Sequence, residues 1–106
     1  MNSFDKVKHF LESINNENIS FRKHFYDQIK NRPISWDLVI KYLRKTENLL
    51  KVEEQTSKNK NEEKYKLWIK LSNKYSLVVI IVISKKDLYI VTSWNTYKKW
   101  QKSIRK

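Results

Sequence analysis

Apolar residues recur at helical spacing as far as about Thr46 and at a spacing of two beyond Leu49, and this change of period is the chain's main structural signal. Phe4, Val7, Phe10, Leu11 and Ile14 fall on one face of a first helix, with Ser3 as its cap and the polar run Asn15, Asn16, Glu17, Asn18 as its end. Ser20 caps a second segment in which Phe21, Phe25, Gln28, Ile29 and Arg32 share a side. Pro33 disfavours helical geometry at Arg32, so this helix is predicted to stop near Asn31 or Arg32. Ser35, followed by Trp36, Leu38, Val39, Tyr42 and Leu43, predicts a third helix running to about Thr46, with Ile34 and Val39 as a hydrophobic staple.

From Leu49 onward Leu50, Val52 and Glu54 take one side of a first strand, and a polar loop follows from Ser57 to Glu62. Between Glu63 and Ser72, Tyr65, Leu67, Ile69 and Leu71 alternate with Lys64, Lys66, Trp68 and Lys70, so one face is core and the other basic and aromatic. Tyr75 to Ser84 is apolar on both faces and β-branched, the pattern of a central strand, entered through a turn at Asn73-Lys74. A short turn at Lys85-Lys86-Asp87 leads to a last strand from Leu88 to Trp94, and Asn95 to Arg105 reads as a final basic helix. The predicted class is α+β: N-terminal helices followed by a mostly antiparallel three- to four-stranded sheet and a short C-terminal helix, in one domain over residues 1–106.

Charge narrows the function. The chain has 23 Lys and Arg against 11 Asp and Glu, a net charge of +12 that favours a polyanionic partner, nucleic acid ahead of an anionic membrane or an acidic protein. Nineteen of the 23 are Lys and four are Arg, which suits attraction to a phosphate backbone more than readout of base edges. The absence of Cys excludes disulfides, thiolate metal sites and a Cys nucleophile, and two His without a dense carboxylate cluster disfavour zinc. The absence of Gly excludes Gly-rich phosphate loops, so no cofactor is predicted. The N-terminal residues fit neither a secretory signal nor a lipidation motif, and the longest apolar run, Leu77 to Ile83, has seven residues against the roughly 20 of a membrane-spanning helix. The expectation is a cytoplasmic protein with no membrane partner.

Candidate chemistry centres on His24, Gln28 and Arg32, which are spaced by four and form a stripe that drifts about 40° per step on a helix. Ribonuclease chemistry needs proton transfer at the 2′-hydroxyl and the 5′-oxygen and an offset for charge on the phosphorane. Imidazole supplies the first and guanidinium the second. The same letters fit a half-buried polar histidine and an arginine that offsets the helix C-terminal dipole. His9, between Lys8 and Phe10, reads as a surface histidine.

His24, Arg32, Ile34, Ser35 and Val39, with Val91-Thr92-Ser93-Trp94 at the end of the last strand, resemble the RelE-like and barnase-like toxin ribonucleases. In that family a helix carries His, Arg and Arg at steps of four, then a small residue, Ile and Ser, a Val-bearing helix and a C-terminal meander. The resemblance spans Phe21 to Trp94 and departs from the family at Gln28, where an Arg is usual, and at Pro33, where a Gly is common. It implies a metal-independent endoribonuclease that works by 2′-hydroxyl attack, with His24 as acid or base, Arg32 as phosphate clamp and Thr92 as a hydrogen-bonding group. It also implies an acidic antitoxin as partner.

A second reading needs no catalysis. Lys66, Trp68 and Lys70 share a strand face, and Tyr97, Lys98, Lys99, Trp100, Lys102 and Arg105 follow, interleaving cations with rings that can stack on bases, RNA more than DNA. In this reading the protein is a basic nucleic-acid-binding module, or one that docks an acidic protein. The competing fate of each Trp is burial, Trp68 beneath the helices and Trp100 as an anchor of the last helix.

Overall fold

A run that is apolar on both faces can satisfy its backbone only between two other strands. In the computed structural model, which describes residues 2–22 and 36–97, Tyr75–Ser84 is the middle strand of five. The elements are α1 (Ser3–Ser13), β1 (Ile19–Phe21), α2 (Trp36–Arg44), β2 (Leu49–Gln55), β3 (Glu63–Lys70), β4 (Tyr75–Ser84) and β5 (Asp87–Tyr97). The sheet order is β1-β5-β4-β3-β2, antiparallel except where β1 runs parallel to β5. Val7, Leu11 and Ile14 from the α1 region and Val39 and Leu43 of α2 pack against Tyr65, Leu67, Ile69, Leu77, Val79, Ile81, Leu88 and Ile90, so the helices cover one face of the sheet.

This is an α+β mixed sheet of five strands with two helices among the described residues, and it corrects the predicted order of N-terminal helices, three- to four-stranded sheet and short C-terminal helix. One correction lies at Ile19–Phe21, where a second helix capped by Ser20 was expected. Ile19 and Phe21 turn toward the core while Ser20 is exposed, and the backbone pairs Ile19 with Leu88 and Phe21 with Ile90, extended by Arg22 N–H to the Ile90 carbonyl at 2.9 Å. The rest of that predicted helix, the Pro33 break and the Ile34 side of the staple lie outside the described residues. The other correction lies at Asn95–Tyr97, where a helix was expected to begin: these residues continue β5 and pair with Leu77, Ser76 and Tyr75. A ten-residue β4 leaves backbone groups unpaired unless its partner is as long, and buried unpaired groups are costly. The remainder of the expected helix is also outside the described residues.

Local chemistry sets the ends of the helices. Asn2, not Ser3, caps α1, its side chain accepting from the Asp5 N–H at 2.9 Å, while the Ser3 hydroxyl donates to Glu54 Oε1 at 2.7 Å. Arg44 ends α2 and ties the helices together, its Nε and Nη2 donating to Asn16 Oδ1 at 3.0 and 2.6 Å and its Nη1 to the Leu11 carbonyl at 3.0 Å. In the β4–β5 hairpin Lys85 takes a φ of 57°, a left-handed position that favours Gly or Asn.

Candidate nucleic-acid interface

Alternation along β3 sends Tyr65, Leu67 and Ile69 under the helices and Lys64, Lys66, Trp68 and Lys70 to the opposite, outer face. Strand register extends this into rows. Lys51, Trp68, Val78 and Trp94 lie abreast on β2, β3, β4 and β5, with Glu53, Lys66, Ile80 and Thr92 beside them and Gln55, Lys64, Val82 and Tyr89 beyond. Two register shifts make these rows. The extra residue Leu50 on β2 puts Leu49 in the core opposite Ile69 and Lys51 outward opposite Trp68, and the extra residue Val91 on β5 sends Thr92 and Trp94 outward. Ser93 then turns inward, 3 % exposed, and its hydroxyl donates to the Val78 carbonyl at 2.9 Å.

Cations and rings alternate on this face. The Lys66 ammonium lies 5.0 Å from the Trp68 ring centroid and 5.5 Å from that of Trp94, and Lys51 lies 5.2 Å from Trp68. Such contacts stabilise by roughly 0.5–1 kcal/mol where solvent reaches them. Trp68 is only 2 % exposed, so its ring acts as a platform beneath two lysines, while Trp94 and Tyr89 on the same face are half-buried. Lys51 is 3.9 Å from Glu53, whose Oε1 accepts from Gln55 Nε2 at 3.0 Å.

One corner of the face is concave, with a volume of about 380 Å³. Val82 and Val91 form its apolar floor, and Arg22, Lys58, Lys64 and Glu62 supply charge around it. Arg22 stacks 4.4 Å from the Tyr89 centroid and donates from Nη2 to Glu62 Oε2 at 3.0 Å. The loop that carries Lys58 is folded on itself: Asn61 N–H donates to Asn59 Oδ1 at 3.0 Å, and Glu62 N–H to the Asn59 carbonyl at 3.1 Å.

At the helix side of the same strand ends, Lys6 pairs with Glu63, and the Tyr65 hydroxyl donates to Glu63 Oε1 at 2.8 Å. The two hydrogen bonds, that from Lys6 first, hold the Glu63 carboxyl below the usual carboxylate range. The Glu63 carboxylate raises Lys6 in turn, and burial raises the Tyr65 phenol. Among the described residues no three His, Cys, Asp or Glu side chains gather where a metal ion could sit, and no helix is long and apolar enough to cross a membrane.

Of the residues the sequence singles out, Lys66, Trp68 and Lys70 share the outer face, and Thr92 joins them in the row of Lys66. His24, Arg32, Lys98, Lys99, Lys102 and Arg105 lie outside the described residues. Lys51, Trp94 and Arg22 belong to the face but were not among the predicted site residues. Lys51 stands on the side of β2 opposite Val52, Trp94 depends on a register shift that alternation does not reveal, and Arg22 depends on a three-residue strand read as a helix start. No family model, no curated protein and no solved structure matches the chain.

Proposed function

We propose that the protein binds single-stranded nucleic acid, RNA ahead of DNA, across the outer face of its sheet. The observation that carries this reading is the Lys66 ammonium within 5.0 and 5.5 Å of the Trp68 and Trp94 rings, with Lys51 5.2 Å from Trp68. Lysines attract the phosphate backbone without demanding a sequence, and a half-buried Trp94 offers a ring to an unstacked base, the combination that single-strand binders use. A cytoplasmic setting, where RNA is abundant, belongs to the same proposal. Labelled oligouridine, its DNA counterpart and a duplex, titrated at low salt, test it. The single strands are expected to bind more tightly than the duplex, and Trp94→Ala to weaken them by about 1–3 kcal/mol. Absence of retention on any of them at low salt overturns the reading.

RNA cleavage is a second reading, favoured by the position of Thr92: the residue that resemblance assigns to the site stands on the nucleic-acid face beside Lys66. Cleavage in EDTA, with a loss on the order of 10²–10⁴ in His24→Ala, is its expected signature. Undiminished cleavage by that variant removes the role of His24. An acidic antitoxin-like protein would cover the same cations, and its copurification, with displacement of bound RNA, marks that partner.

A further inference from the structure

We propose that the concave corner of the outer face is a receptor for a phosphomonoester, the phosphorylated end of the strand that the face binds. The inference rests on the nucleic-acid reading of that face and adds a substrate feature to it. Arg22, Lys58 and Lys64 converge on the corner with one carboxylate, Glu62, which leaves two net positive charges. A phosphodiester within a strand carries one negative charge, whereas a phosphomonoester carries about −1.5 to −2 near neutrality and offers three acceptor oxygens. The corner is therefore matched in charge to a strand end and over-charged for an internal link.

Geometry supports the same choice. The Arg22 guanidinium is fixed by stacking on Tyr89 and by one hydrogen bond to Glu62, so its other guanidinium N–H groups are held in place without a partner among the described residues. Neither Lys58 nor Lys64 is ion-paired with a described residue. The volume, about 380 Å³, exceeds that of a phosphate group and falls in the range of small-molecule sites, so a terminal sugar fits over the apolar floor of Val82 and Val91. The register shift at Val91 places that residue at the floor, and such irregularities commonly re-aim side chains beside binding sites. The loop bearing Lys58 is ordered by its own hydrogen bonds, so little ordering remains to be done when an anion enters.

The test compares one internally labelled oligouridine with hydroxyl ends, with a 5′-phosphate and with a 3′-phosphate. One of the phosphate-ended forms is expected to bind about tenfold tighter than the hydroxyl-ended form, the scale of one charge-assisted hydrogen bond. Lys58→Ser and Arg22→Gln are each expected to cut this ratio to about twofold, and Glu62→Gln to raise it, because removing the carboxylate releases Arg22. The ratio should also grow as pH rises from about 5 to 7, where the second phosphate proton is lost. If all three oligonucleotides bind equally, the corner is not a phosphomonoester site while the face reading survives. If none binds, the face reading itself fails. Uridine monophosphate that binds as tightly as the phosphate-ended strand assigns the corner to free nucleotide and overturns the strand-end proposal.

Discussion

Replacing Lys66 with Met removes an ammonium from the centre of the outer face and keeps an unbranched stem over Trp68 and Trp94. Each phosphate neutralised on a single strand contributes about 0.7 to the slope of log affinity against log salt. If Lys51, Lys64, Lys66 and Lys70 each meet one phosphate, the face supplies a slope of about −3, a roughly fiftyfold loss of affinity between about 50 and 200 mM salt. Lys66→Met is expected to lower the magnitude of the slope by about 0.7 and to leave the face a loss of roughly twentyfold over the same range. Fluorescence anisotropy of labelled oligouridine across a salt series reads this directly.

Lys8→Met is the control, because Lys8 is on α1, on the helical side of the sheet. The Lys66 variant loses two cation–π contacts of roughly 0.5–1 kcal/mol each, so its melting temperature should fall by roughly 4–15 °C. Equal slope changes in the Lys8 and Lys66 variants would refute the reasoning: binding would then be a diffuse response to the +12 charge of the whole chain, not a property of this face.

Three further outcomes follow from the described geometry. Ser76 is 0 % exposed and its hydroxyl has no hydrogen-bond partner among the described residues, so Ser76→Ala should be neutral or stabilise by up to about 1 kcal/mol in urea unfolding, because it removes a desolvated group. The depressed Glu63 carboxyl contributes stability above its unfolded value of about 4.3 and loses it as pH falls through its lower folded value; the raised Lys6 contributes below its unfolded value of about 10.4 and loses it as pH rises through its folded value. Both groups are half exposed, so Glu63→Gln should cost no more than about 1 kcal/mol at pH 7 and progressively less as pH falls through the lowered folded value, as read from melting temperatures across pH. Lys85→Gly should stabilise the β4–β5 hairpin by roughly 0.5–1 kcal/mol, since Gly takes a φ of 57° without the Cβ penalty, and a lower melting temperature would show that the Lys85 side chain matters more than its backbone.

The parts of the fold legible in the sequence are those with long, unbroken patterns. The seven apolar, mostly β-branched residues Leu77 to Ile83 mark β4, the alternation of Tyr65, Leu67 and Ile69 with lysines and Trp68 marks β3, and Val39, Tyr42 and Leu43 at helical spacing mark α2. The rest turns on pairing between distant residues. Three residues, Ile19-Ser20-Phe21, are too few to show a period, and Ser20 before Phe21 looks like a helix cap until β5 is present to receive it. Asn95-Thr96-Tyr97 has the polarity of a helix start and becomes strand because Leu77, Ser76 and Tyr75 need partners.

The outer face shows the same division in sharper form. Lys66, Trp68 and Lys70 were placed together by counting in twos along one strand. Lys51 follows from the same counting, on the side of β2 opposite Val52, whereas Trp94 cannot be found by counting, because it lies one register shift away from an alternation that would have sent it to the core. Were Val91 paired regularly opposite Ile80, Ser93 would take the outward place opposite Val78, and Thr92 and Trp94 would turn under the helices. Lys66 would then lose its contact with Trp94 and keep that with Trp68, whose ring has almost no exposed surface. The aromatic half of the proposed interface is thus a product of strand register and not of composition. A chain with the same lysines and tryptophans but an uninterrupted β5 would keep the positive charge of the proposed interface and lose the ring proposed to favour a single strand.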